Sequence, residues 1–193
     1  ELPRMEERWQ TEADQMKARI EFSRILEEQT AARWPKFNAF LNAQSEFELF
    51  SNLLILHNGQ ILFSYGTEAH KMRHDSTLFN TAWFFSAEAQ EMYRIFTQPV
   101  WLGTQGQGTL ILLKTVNNAV LRDMAAPETH LHLYYHQRII GTSNGANPDS
   151  IQPGVSESQA RDGLLLIQTD LPWPGTGNQP LLIVQRDLHV AYP

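Results

Sequence analysis

The segment that most constrains the fold is residues 93–124, which read YRIFTQPVWLGTQGQGTLILLKTVNNAVLRDM. Residues 93–100 and 109–115 are apolar, β-prone and the length of strands. Between them, residues 103–108 contain three glycines, which suit a reversal of the chain. Residues 117–124 then predict a short helix. The segment therefore predicts two central antiparallel strands that run into a helix, as in an α+β protein.

The N-terminal segment differs from the rest, since residues 1–34 carry eight acidic and six basic side chains. Its apolar residues recur at spacings of three and four, which places them on one stripe of a helix. We predict one helix of about 30 residues and about 45 Å, which ends at Trp34-Pro35 because proline disfavours helical geometry in the preceding residue. The stripe either packs across a sheet or belongs to a stalk that pairs with a second subunit. Its members are Leu2, Met5, Trp9, Ala13, Met16 and Ile20.

Asn58-Gly59 lies between two apolar runs, residues 48–56 and 60–65, and an Asn-Gly in that setting predicts a tight β-hairpin. Ser86 is a candidate N-cap for one or two helical turns over residues 87–90. The other elements predicted nearby are a helix over residues 37–42, a loop over residues 66–76 and a strand over residues 78–85.

The C-terminal part predicts a second hairpin, residues 130–135 and 138–142, about His136-Gln137. Two more strands follow at residues 163–170 and 180–188. Residues 143–162, rich in Asn, Pro, Gly and Ser, predict a long surface loop. The whole pattern predicts one α+β structural domain, with a helical stalk or packing helix over residues 1–45 and a sheet domain over residues 46–193.

Composition and motifs exclude several function classes. The net charge of −6 provides no basic patch for phosphates, so we predict no nucleic-acid partner. The absence of cysteine excludes disulfides and thiolate metal sites. The glycines of residues 103–108 lie between two strands, whereas a dinucleotide fingerprint needs a helix after them. A soluble enzyme would need a buried carboxylate and histidine pair that the sequence does not reveal. We therefore predict that this chain is not an enzyme and uses no cofactor.

Two groups of histidines have spacings that are found in metal sites. His130 and His132 share one strand face with His136, and two histidines at i and i+2 can bind zinc or copper if a third ligand comes from elsewhere. A solvated sheet face is the interpretation we favour. His70 and His74 have the i, i+4 spacing of a helical metal pair, but their polar surroundings favour a surface loop.

Six polar or aromatic residues near the predicted central sheet are candidate ligand-binding residues. Arg94 and Lys114 stand in or beside apolar strands, where a cation needs a partner. They either bind a carboxylate or another anion, or reach water or an internal Asp. For the aromatic candidates the alternative is a place in the core. The six are Tyr65, Trp83, Tyr93, Arg94, Trp101 and Lys114.

The order of these elements resembles the PAS-like extracytoplasmic sensor domains of bacterial membrane receptors, of the Cache and CHASE4 type. The resemblance covers residues 48–190 and is carried by LLILHNGQILFSYG, by the segment from Arg94 onward and by the closing LLIVQRDL. Gln98-Pro99-Val100, residues 106–110 and residues 118–124 stand where the family has a Pro-Val, a Gly-x-Gly-x-Leu strand and a short helix.

The resemblance implies a long N-terminal helix followed by a PAS/Cache-like central antiparallel sheet with short flanking helices. It implies a periplasmic sensing domain of an inner-membrane histidine kinase or cyclic-di-GMP cyclase or phosphodiesterase, with membrane-spanning helices on both sides of this sequence. The implied partners are a small-molecule ligand or an envelope protein, and a second copy of the chain bound through the N-terminal helix. The alternative is a ligand-free protein-interaction module of the cell envelope.

Overall fold

The structure is a computed structural model that describes residues 2–44, 50–66, 69, 82–86, 88–127, 129–135, 138–143, 159–161, 164–170 and 181–187. Its α-helices in these ranges are α1 (Leu2–Ser23), α2 (Arg33–Ala43) and α3 (Asn118–Met124). The strands of the first sheet are β1 (Asn52–His57), β2 (Gln60–Tyr65), β3 (Trp83–Ser86), β4 (Glu91–Trp101) and β5 (Gln107–Val116). Those of the second sheet are β6 (Thr129–Tyr135), β7 (Arg138–Thr142), β8 (Gln159–Arg161), β9 (Leu164–Asp170) and β10 (Leu181–Asp187).

The chain forms two compact units. Unit 1 consists of Glu1–Phe84 and Tyr93–Thr115, and unit 2 of Phe85–Met92 and Val116–Pro193. The first sheet has the order β2-β1-β5-β4-β3 and the second the order β7-β6-β10-β9-β8. Counted from its own first strand, each sheet therefore has the order 2-1-5-4-3. The chain builds the same sheet twice, although no sequence repeat indicated it.

The predicted Asn-Gly hairpin is confirmed. Asn58 and Gly59 have φ values of 51° and 75° and connect His57 to its strand partner Gln60. Positive φ at both central residues is the geometry of a two-residue hairpin turn that matches the twist of the strands. The second hairpin is also confirmed, since β6 pairs antiparallel with β7.

The prediction of one N-terminal helix to residue 34 is wrong. Helix α1 ends at Ser23, because Arg24 adopts the left-handed conformation with a φ of 58° before the 3₁₀ turn Ile25–Glu27. Helix α2 starts at Arg33, so Pro35 lies in its first turn, where backbone N–H groups have no partner within the helix and proline is tolerated. The proline thus helps to start a helix that includes the predicted residues 37–42.

Two further predictions need correction. Residues 88–90 form a turn, in which the backbone N–H of Ala89 donates to Ser86 Oγ at 3.1 Å and Gln90 has a φ of 54°. That positive φ ends the turn before a helix can develop. The predicted surface loop over residues 143–162 is interrupted by β8, which pairs with β9. The predicted loop over residues 66–76 lies largely outside the described residues.

In unit 1, α1 and α2 both cover the first sheet. The stripe of α1 is buried within the unit, since Trp9, Ala13, Met16 and Ile20 are at most 4% exposed. These four residues thus pack within unit 1, and pairing of the N-terminal helix with a second subunit stays a prediction. Helix α2 packs on Phe63 of β2. The rings of Trp34 and Phe63 are stacked, with 5.4 Å between their centroids.

Unit 2 follows a similar plan on a smaller scale. Helix α3 contacts β6 and β7, and its Leu121 is fully buried. Gly141 allows this approach, because a Cβ there would lie 2.8 Å from Leu121 Cδ1. The backbone N–H of Thr142 donates to Asn118 Oδ1 at 2.8 Å and fixes the start of the helix to β7. Among the described residues, no helix is long and apolar enough to cross a membrane.

Candidate functional site

Arg94 lies on β4 under α1 and is paired with a carboxylate of that helix. Its Nε is 3.0 Å from both carboxylate oxygens of Glu6, and its Nη2 is 2.9 Å from Oε2. Its Nη1 donates to the backbone carbonyls of Ala82 and Ile95 at 2.9 Å and 2.6 Å. The guanidinium also lies 4.8 Å from the centroid of the Phe96 ring. The partner of this cation is therefore a glutamate 88 positions away in the sequence.

Lys114 of β5 has an equivalent partner in Glu12, about one and two-thirds turns beyond Glu6 on α1. Its Nζ is 3.0 Å from Glu12 Oε2, and the two side chains are 6% and 13% exposed. Glu12 accepts a second hydrogen bond, at 3.1 Å, from Nε of Arg8. The ammonium lies 5.7 Å from the Trp9 ring and 5.6 Å from the Phe50 ring, which adds cation–π attraction. Lys114 is thus a buried cation held by a carboxylate and two aromatic faces.

A third polar contact also joins α1 to the first sheet. Gln98 Nε2 of β4 donates a hydrogen bond to Asp14 Oδ1. We call these three contacts the α1 clamp. Sliding α1 by one turn, about 5.4 Å, would separate all three and take the carboxylates of α1 away from two buried or half-buried cations. The clamp therefore holds α1 in one register on the sheet. Its pairs are Glu6–Arg94, Glu12–Lys114 and Asp14–Gln98.

The aromatic candidates are dispersed. Trp83 is 3% exposed and meets the ring of Trp9 edge-on at 6.3 Å, so it belongs to the layer under α1. Tyr93 is 2% exposed and packs in the core on the other face of β4. The hydroxyl of Tyr65 donates to Asn42 of α2 at 2.6 Å. Trp101 is 54% exposed. The structure thus brings Trp83, Arg94 and Lys114 together, and a ligand-binding role for the six stays a prediction.

The sequence did not indicate a cavity of about 540 Å³ in unit 2, which is widely open to solvent. Its polar lining comes from the turn before β4 and from α3, and Ile140 of β7 contributes an apolar wall. A cavity of this size is in the range of small-molecule sites. Adjacent asparagines at the start of a predicted helix were the available signal, but nothing local connected them with β7. The polar residues are Gln90, Glu91, Asn117, Asn118 and Arg122.

Four of these five side chains can donate hydrogen bonds, and three of the four, Asn117, Asn118 and Arg122, belong to α3 or its N-cap. Asn117 Oδ1 accepts the N–H of Val120 at 3.1 Å as the N-cap of α3, which leaves its NH₂ group as a donor. Asn118 Oδ1 accepts the backbone N–H of Thr142, which likewise leaves the NH₂ group of Asn118 as a donor. Arg122 is exposed, and its guanidinium has no hydrogen bond or ion pair with any residue that the structure describes.

The expectation of a solvated histidine face is wrong for His132, which is completely buried. All five residues from Leu131 to Tyr135 are buried, so both faces of β6 are covered there. Burial lowers the pKa of His132 below its usual value, the nearby His130 acts in the same sense, and the Gln185 side chain offsets part of the effect. Within the described ranges no three His, Asp or Glu residues are grouped so as to hold a metal. The other candidates, His70, His74 and His136, lie outside those ranges.

No family model matches the sequence, and no curated protein matches it. The structure is similar to the periplasmic domain of Vibrio cholerae LuxQ, with 12% identity, 90% of this chain and 89% of that chain covered, and a TM-score of 0.51. The chain has the fold of that domain. The predicted α+β architecture, a long N-terminal helix and a PAS/Cache-like antiparallel sheet, is therefore confirmed.

A second similar structure is the ligand-binding domain of the amino acid chemoreceptor PctC of Pseudomonas aeruginosa, in complex with GABA. It is 14% identical, with 92% of this chain and 91% of that chain covered and a TM-score of 0.45. Because this TM-score is lower, the assignment of the fold rests on the LuxQ domain.

Proposed function

We propose that this chain is the extracytoplasmic signal-sensing domain of a bacterial transmembrane receptor. The observation that carries the proposal is the likeness to the LuxQ periplasmic domain, which extends over 90% of the chain. The full-length receptor has membrane-spanning helices on both sides of the chain and a cytoplasmic output, either a histidine kinase or a cyclic-di-GMP cyclase or phosphodiesterase. It works as a homodimer, and its sensor is of the CHASE4 type.

The α1 clamp gives this proposal a mechanism. The first sheet has two arrangements. A ligand or partner that binds one arrangement more tightly than the other increases the population of that arrangement. Because the charges of Glu12 and Lys114 are buried, their separation costs more than a joint movement of sheet and helix. A change in the first sheet therefore moves α1 as a rigid body, and α1 conveys it toward the membrane.

A chimeric receptor tests this function. The 193 residues replace the periplasmic domain of a LuxQ-type receptor, and kinase output is measured in cells. Glu6→Gln breaks the charge pair with Arg94 and should change basal output about fivefold, the size of a typical allosteric coupling. Glu28→Gln, in the exposed Lys36–Glu28 pair with side chains 56% and 35% exposed, is the matched control and should leave output unchanged.

The swap Glu6→Arg with Arg94→Glu should return the output toward that of the unmodified chimera, because it restores an ion pair across the same two layers. An unchanged output for Glu6→Gln, or equal effects of Glu6→Gln and Glu28→Gln, would contradict the relay through α1.

The alternative, a ligand-free protein-interaction module, is favoured by one observation. Trp83 and Tyr93 fill the layers beside β4, whereas Phe22 and Trp101 are 87% and 54% exposed. Exposed aromatic side chains are typical of protein interfaces. Under this alternative, Phe22→Ser and Trp101→Ser would abolish the response of the chimera, and no small molecule would bind to the purified chain.

A further inference from the structure

We propose that the cavity of unit 2 binds a small molecule with a single carboxylate group, through Arg122 and the amides of Asn117 and Asn118. This inference rests on the proposed function only in that the bound molecule would act as the signal, because binding itself can be measured on the isolated chain. None of these three residues was among the candidates that the sequence indicated.

The first step of the argument is the state of Arg122. Arg94 and Lys114 are both paired with carboxylates of α1, whereas Arg122 is an exposed residue of the cavity lining whose guanidinium has no partner in the described part of the chain. A guanidinium presents two parallel N–H groups that match the two oxygens of a carboxylate. The residue is therefore prepared to receive an anion without breaking an existing pair.

The asparagines complete the donor set. Each uses its side-chain oxygen in a structural hydrogen bond, Asn117 to Val120 and Asn118 to Thr142. Both residues line the cavity, and these bonds fix the orientation of the two amides and leave their NH₂ groups as donors. Oriented donors beside a cation suit an acceptor with several lone pairs, which a carboxylate supplies.

The remaining lining selects among anions. Glu91 also lines the cavity, and its negative charge opposes a doubly charged phosphate more strongly than a singly charged carboxylate. Val116 and Ile140 provide apolar surface for a hydrocarbon part. A volume of about 540 Å³ admits a ligand larger than acetate. The ligand class is thus a monocarboxylate with a small apolar body.

Binding is tested by NMR on the isotopically labelled 193-residue chain. The probes are butyrate and benzoate, their uncharged amides butyramide and benzamide as matched controls, and inorganic phosphate. The two carboxylates should shift the side-chain signals of Arg122, Asn117 and Asn118, with a Kd tighter than about 1 mM. The amides should bind at least about tenfold more weakly because they carry no charge, and the phosphate dianion because Glu91 repels it more strongly.

Three variants locate the site. Arg122→Gln should weaken binding of benzoate about 10- to 100-fold, as expected for the loss of a charge-assisted hydrogen bond. Arg138→Gln removes the same charge from an exposed position of β7 and should leave the Kd unchanged. Asn117→Ser keeps an N-cap oxygen for α3 but removes the NH₂ donor, so it should weaken binding while the chain stays folded.

Several results would overturn the inference. One is that neither carboxylate binds at about 10 mM, well above the expected Kd. The second is that the acids bind no more tightly than their amides, and the third is that phosphate binds more tightly than the acids. The fourth is that Arg122→Gln and the unmodified chain have equal Kd values. Each of these leaves the chimera experiment untouched. Failure of the cavity is therefore distinguishable from failure of the sensing function.

Discussion

The buried pair of Glu12 and Lys114 permits a quantitative test of how α1 is held. Glu12→Leu removes one carboxylate from the ammonium of Lys114, whose side chain is 6% exposed. Losing one partner of a buried pair costs 3–5 kcal/mol in general, and we expect about 3 kcal/mol here. The value lies at the lower end because the rings of Trp9 and Phe50 continue to stabilise the cation by about 1 kcal/mol.

The reverse change should cost less. Lys114→Met leaves Glu12, which is 13% exposed and keeps its contact with Arg8, so we expect about 1–2 kcal/mol. The double variant contains neither charge and places two apolar side chains beside Trp9. We expect it to lie within about 1 kcal/mol of the unmodified chain, because apolar replacements of buried ion pairs are often neutral.

Urea denaturation followed by tryptophan fluorescence measures these costs. Four of the five tryptophans, Trp9, Trp34, Trp83 and Trp101, belong to unit 1, so the signal reports that unit. With an m-value of about 1–3 kcal/mol per M, Glu12→Leu should lower the midpoint by about 1–3 M. If the double variant loses as much stability as the two single variants together, the residues are not coupled and the explanation of the clamp is wrong.

Three other changes have defined outcomes in the same assay. Gly103→Ala should cost about 2 kcal/mol or more, because its φ is 63° and a Cβ would lie 2.7 Å from the carbonyl oxygen of Glu27. Gly59→Ala, with a φ of 75° and open space around it, should cost only about 1 kcal/mol, and equal costs would refute the steric argument. Because burial lowers the pKa of His132 in the folded chain, the unfolded chain takes up the proton first. Stability should therefore be complete above about pH 6.5 and fall below it by up to about 1.4 kcal/mol per pH unit. His132→Phe should reduce this pH dependence, and an unchanged dependence would contradict the role of burial.

Local chemistry was sufficient for the elements that depend on a few adjacent residues. Asn58-Gly59 specifies its own turn through the positive φ values that both residues adopt readily. The reversal at residues 103–108 contains Gly103 and Gly106, both at positive φ. The apolar stripe of α1 likewise predicted which face is buried. Each of these features follows from spacing and backbone preference alone.

The sequence could not predict features that depend on distant partners. Helix α1 ends because Arg24 adopts the left-handed conformation, which is unfavourable for an arginine. Leu26, two residues later, is buried. The pairing of Arg94 with Glu6 joins residues 88 positions apart, and α1 offers several other carboxylates. The cavity of unit 2 combines residues 90 and 91 with residue 140. No periodicity within one element indicates that these will meet.

The division of the chain has a mechanical consequence. The backbone passes between unit 1 and unit 2 three times, at residues 84/85, 92/93 and 115/116, and the two chain ends belong to different units. A pulling force applied between the ends is then shared by three covalent connections. A protein with one linker would carry the whole load there and extend at that point. Here each of the three connections lies inside a strand, β3, β4 or β5, and is not a free linker.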